Sequence, residues 1–132
     1  MIGTRPKTLQ EVARRTAAQE DSFDRSLREF LDSFYLAPTD QREAAIADEP
    51  EELTATQDAY LAAVAEHLAR RFDLAIPVWT DHGNRFLHRP FFAGGLESLK
   101  ATLLVESPIA FRRRLLFVSA DALSRPREPR RT

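Results

Sequence analysis

Three consecutive arginines, Arg112, Arg113 and Arg114, stand between Phe111 and the apolar run from Leu115 to Val118. Guanidinium groups bind phosphates and carboxylates and stack on aromatic faces, so this run is the first candidate for a binding role. A helix through it would turn the three side chains about 100° apart, which rules out a single flat basic surface. Phe111 and Leu115 would share the buried side with Arg114 beside them, leaving the charged remainder to complement the negative end of the helix and cover apolar residues with its stems, to meet a phosphate, or to meet an acidic protein surface. A second candidate lies upstream. Trp79, Phe86, Phe91 and Phe92 are interleaved with Arg85, His88 and Arg89, a mixture suited to anchoring a loop on a core, to stacking nucleic-acid bases, or to a protein interface rich in arginine and aromatic rings. Trp79, Arg85, Arg89, Arg112, Arg113 and Arg114 are therefore the candidate partner-binding residues.

The catalytic patterns give little. Four glycines form neither a phosphate-cradling loop nor a serine elbow. With no cysteine, thiolate metal sites and cysteine nucleophiles are absent. Asp81, His82 and His88 match no dedicated zinc spacing, and His67 sits beside an apolar helical stripe. Asp24, Asp32 and Glu66 are carboxylates with no spacing that pairs them for acid–base work. The expectation is a non-enzymatic chain with no cofactor and no catalytic or metal-binding residues.

The elements that must position these groups read as helices. Thr8, with Glu11 three residues on, caps a short helix to about Ala18. Ser22 caps a stronger one, in which Phe23, Leu27, Phe30, Leu31 and Phe34 fall on one stripe and four-residue charge pairs line the other side. After Pro38, the segment 39–53 reads as a polar, acidic and mobile connection holding one short turn of helix. Thr54 and Gln57 cap a long alanine-rich helix with Leu61, Val64, Leu68 and Phe72 on one side. Residues 73–95 carry two prolines and three glycines and read as an irregular aromatic-rich loop with a short extended piece near 76–79. Leu96, Leu99 and Leu103 resume helical spacing, and Ser107 with Pro108 opens a last helix. The predicted fold is all-α, a single compact domain of about five helices over residues 1–125, with 126–132 a flexible basic tail.

Composition agrees with a globular chain of 132 residues that is 43% hydrophobic and 30% charged. Its net charge of −1 conceals 13 acidic against 7 basic residues up to Tyr60, and 7 against 12 beyond it. No run of about 18 apolar residues exists to span a membrane, and the cytoplasm is the expected location.

The blocks "SFDRSLREFLDSFY", "DAYLAAVAEHLARRF", "IPVWT", "RFLHRPFF" and "ESPIAFRRRLLFVSADALSR" occur here in an order that resembles a group of small bacterial helical proteins. The resemblance runs from about Phe23 to Arg125 and leaves out the final "PREPRRT". Proteins of this group look like the antitoxin components of two-gene modules whose second product is a nucleotidyltransferase-type toxin. The resemblance implies a protein that neutralises a cognate toxin enzyme by direct contact. The alternatives are a DNA-binding transcriptional regulator or some other helical interaction module. For the regulator, the segment 8–31 comes closest to a helix-turn-helix, but its second helix carries Asp21, Asp24, Glu29 and Asp32, which repel phosphate.

Overall fold

A computed structural model of the chain describes residues 5–93, 106–119 and Leu123. The protein is mostly helical, with five α-helices and one two-stranded sheet among the described residues. These residues divide into two compact units, one made of 5–53 with Leu123 and the other of 54–93 with 106–119.

In the first unit, α1 (Leu9–Ala17) starts where Thr8 Oγ1 accepts the Glu11 N–H at 3.0 Å. The Glu11 carboxylate accepts the Lys7 N–H instead of closing a reciprocal box. Helix α2 (Phe23–Leu36) is capped by Ser22 Oγ accepting from Arg25, and buries the expected stripe of Leu27, Phe30, Leu31 and Phe34. Arg25 reaches both Asp21 and Glu29 on the outer side. The residue before Pro38 is held extended, which ends α2.

The segment after Pro38 departs from the sequence expectation. Residues 39–47 are not one helical turn in a mobile connection but a nine-residue helix, α3 (Thr39–Ala47), burying Ala45 and Ile46. Arg42 explains much of this. Its Nε and Nη2 donate to the Phe34 and Tyr35 carbonyls at 2.9 Å each, satisfying the open C-terminal end of α2, while its guanidinium lies over the Phe34 ring. The acidic stretch beyond α3 is also tied, through the Gln10 amide donating to the Glu49 carbonyl.

In the second unit, α4 (Ala55–Arg71) opens with the complete Thr54–Gln57 capping box. It is buried almost all round from Asp58 to Ala69, with only Tyr60 and His67 partly exposed. Small residues at 59, 62, 63, 65 and 69 let surrounding segments approach its backbone. Asp73, at a φ of 58°, turns the chain so that the Leu74 N–H returns to the Ala69 carbonyl at 2.8 Å.

The loop after α4 contains two short 3₁₀ turns, at Val78–Asp81 and Gly83–Arg85; the first takes up Val78 and Trp79 of the extended piece expected near 76–79, while Pro77 before it is extended. Strand β1 (Phe91–Phe92) then pairs in parallel with β2 (Leu116–Phe117), and the Phe92 and Phe117 rings stack at 4.9 Å.

The arginine run is not one helix. Helix α5 (Ile109–Arg112) ends before Arg113, and Leu115 adopts a φ of 64° that swings the chain into β2. Ser107 does not cap α5, whose start at Pro108 has no side-chain cap. Buried Ser107 instead donates its hydroxyl to the Val118 carbonyl and accepts the Val118 N–H, at 3.0 and 2.8 Å, clamping the end of β2. The expected helix at 96–103, Gly94, Gly95 and the tail 126–132 lie outside the described residues.

Candidate functional site: a buried carboxylate holding three arginines

The apolar stripe of α4 runs through Leu61, Val64 and Leu68, and Glu66 projects about 140° away from Leu61 around the helix. An isolated amphipathic helix would leave that side in water. Here it is covered by the loop and by α5, so the Glu66 side chain is 1% exposed. One oxygen, Oε1, accepts from Arg114 Nη1 at 2.6 Å. The other, Oε2, accepts from Arg70 Nε at 2.8 Å, one helical turn on, and from Arg113 Nη1 at 3.2 Å.

Arg114 is fully buried and is used in several directions. Besides Glu66, its Nη1 donates to the Ala110 carbonyl at 2.8 Å and its Nη2 to the Thr80 carbonyl at 2.7 Å. Its guanidinium lies 4.6 Å from the centre of the Phe86 ring, and that of Arg113 lies 5.5 Å from the same ring. Arg113 Nη2 also donates to Asp81 at 3.2 Å. One side chain thus joins α4, the first 3₁₀ turn, α5 and the aromatic loop.

A parallel arrangement stands two turns nearer the start of α4. Arg85, also without solvent exposure, lies 3.6 Å from Asp58 Oδ1 and places its guanidinium over the Trp79 ring at 4.9 Å. In both places an acid of α4 meets an arginine stacked on a ring of the loop. The loop's aromatic residues and arginines are in this way engaged internally. Charge-assisted hydrogen bonds of this kind are stronger than neutral ones, and a desolvated guanidinium over a ring adds attraction of about 2 kcal/mol.

The six residues singled out in the sequence therefore fall into two groups. Trp79, Arg85 and Arg114 are interior and engaged with the chain itself. Arg89, Arg112 and Arg113 are exposed. The structure brings Arg113 and Arg114 together on Glu66 and Phe86, and Arg85 with Trp79, but the arginine run forms no common surface. Sequence reasoning found Glu66 only as a carboxylate without a partner. Its one local signal was the four-residue spacing to Arg70.

The charges respond as this geometry requires. Burial alone pushes the Glu66 carboxyl up, but the hydrogen bonds from Arg114 and Arg70 and the charges of Arg114 and Arg113 outweigh it, leaving the group below its ordinary value. Burial lowers Arg114, against the opposing pull of Glu66. His67, packed edge-on to Phe111 at 6.2 Å, is lowered by burial and by the charge of Arg71.

Both Glu66 and His67 make the second unit weaker in acid. The folded His67 resists a proton that the unfolded imidazole accepts near about pH 6.5, so the unfolded state binds more protons and stability falls as the pH drops below that value. Glu66 contributes stability that is present above its unfolded value of about 4.5 and is lost as the pH falls through its lower folded one. Urea titrations followed by the fluorescence of Trp79, the single tryptophan, should show the midpoint declining as the pH falls through about 6.5 and then dropping again below about pH 4.5. His67→Leu should flatten the first stage and leave the second. An unchanged first stage in that variant would contradict the assignment.

Among the described residues no group of three or more acidic or histidine side chains is placed to hold a metal ion, and no helix is long and apolar enough to cross a membrane. Comparison of the chain with family models, curated proteins and solved structures gives no match.

Proposed function

We propose that this chain is a non-enzymatic, antitoxin-like binding protein that neutralises a cognate toxin enzyme of nucleotidyltransferase type by direct protein–protein contact. The observation that carries the binding role is a set of large apolar side chains left exposed on firmly held backbone. Val78 is 83% exposed next to buried Trp79 and Thr80, and Ile109 is 55% exposed next to buried Ala110 and Phe111. Ile109 shares the outer side of α5 with exposed Arg112. Apolar groups and arginine presented on pre-ordered backbone lose little entropy on binding, and they are residue types that dominate protein interfaces. The resemblance of the order of sequence blocks to that of antitoxin-like proteins supports the choice of a toxin as partner.

Coexpression with the product of the adjoining gene tests this. That product should arrest growth alone, growth should recover when this chain is present, and Val78→Asp with Ile109→Asp should abolish the recovery while the variant remains folded. An adjoining product that is harmless alone, or that stays toxic beside the soluble wild-type chain, would overturn the proposal.

A further inference from the structure

The first unit carries a groove of about 530 Å³ bounded by the start of α1, the end of α2 and one side of α3. Its apolar lining comes from Phe34, Ala37, Pro38 and Ala45, and from Leu36, which is 62% exposed. Leu36 is the one large apolar side chain that this unit leaves in water among the described residues. Clefts that take ligands span roughly 300–1,000 Å³, so the size is adequate.

Arg5 and Lys7 also line this groove. Residues 5–53 hold twelve acidic against seven basic side chains, yet neither Arg5 nor Lys7 makes an ion pair among the described residues. Of the other five, Arg14, Arg15 and Arg25 pair with carboxylates, Arg42 is engaged with the carbonyls of α2, and Arg28, which does not line the groove, also makes no ion pair among the described residues. In a segment with surplus acid, two uncommitted cations beside an exposed leucine are unexpected for a surface that faces only water.

We infer that this groove binds an extended segment of a partner protein in which a carboxylate stands beside two or more large apolar side chains. The apolar side chains lie against Leu36, Phe34 and Pro38, and the carboxylate meets Arg5 and Lys7. An open groove with an exposed wall suits a peptide better than a small molecule, which needs most of its surface enclosed. The surrounding negative charge disfavours a long acidic tract and selects a single carboxylate with apolar neighbours. This site belongs to the first unit, whereas the toxin-contact residues Val78 and Ile109 belong to the second, so either can fail without the other.

A phage-displayed random nonapeptide library panned on the full chain provides the test, with Arg5→Glu/Lys7→Glu and Leu36→Asp as counter-targets. Enriched peptides should combine a carboxylate with at least two large apolar residues. A synthetic copy of one should bind about tenfold more weakly to each variant, and should lose affinity as salt rises from about 0.05 to 0.3 M. Far-UV circular dichroism confirms folding, with Leu36→Ser replacing Leu36→Asp if the latter is unfolded. Failure to enrich over the counter-targets, or enriched peptides that bind the Arg5→Glu/Lys7→Glu variant as well as the parent, would overturn the inference.

Discussion

Glu66→Leu should destabilise the second unit by about 3–5 kcal/mol, the cost of leaving a buried charge without its partner. The reason lies in how differently the three arginines are placed. The Arg70 and Arg113 side chains are 49% and 38% exposed and can turn to water once the carboxylate is gone. Arg114 has no exposure, so its guanidinium stays desolvated with only the Thr80 and Ala110 carbonyls and the Phe86 ring to receive it. Arg114→Met should cost less than Glu66→Leu, because Glu66 then keeps Arg70 and Arg113. The double variant Glu66→Leu/Arg114→Met should recover part of the loss, since an apolar pair replaces a buried ionic one with little penalty. Urea midpoints read by Trp79 fluorescence give all three values. A Glu66→Leu loss below about 1 kcal/mol, or a double variant worse than the sum of the singles, would show that the cluster is not an internal anchor.

Phe111→Ala should be of comparable size, about 3–5 kcal/mol, as expected when a fully buried aromatic is cut back. Phe111 lies edge-on to Tyr60 at 5.1 Å and to His67, both on α4, and is the apolar contact that seats α5 on that helix. Its loss loosens α5, which holds the Ala110 carbonyl used by Arg114. The effect should therefore couple to Glu66→Leu, with the two changes together costing less than their sum. Phe111→Leu should lose only about 1 kcal/mol, because most of the volume remains. The same fluorescence titrations check these values, and a Phe111→Ala loss equal to that of Phe111→Leu would mean the ring is not packed between Tyr60 and His67.

These effects concern residues whose roles were unequally legible in the sequence. The helix starts at Thr8, Ser22 and Thr54 were readable because a capping hydroxyl and the amide it serves lie three residues apart, so no distant contact is needed to recognise them. The stripe of α2 was readable for a similar reason, as a strong apolar period facing one side. Helix α3 reads from the sequence as a single turn because its support comes from Arg42 reaching back to the carbonyls of Phe34 and Tyr35, which no local pattern announces.

The sequence by itself determined that this protein is mostly helical, where its main helices begin, and that arginines stand among aromatic rings in residues 79–92 and 111–117. Only the tertiary structure decided what those groups do. The spacing of α4 assigns Glu66 to the wet side, and burial of nearly the whole helix turns it into an interior anchor. A continuous helix would have turned Arg112, Arg113 and Arg114 about 100° apart, but α5 ends at Arg112 and the left-handed backbone at Leu115 takes the chain into β2, with Arg114 inside and Arg112 in solvent. A charge is buried only where another segment supplies its counter-charge, and that segment lies 48 residues away in the chain.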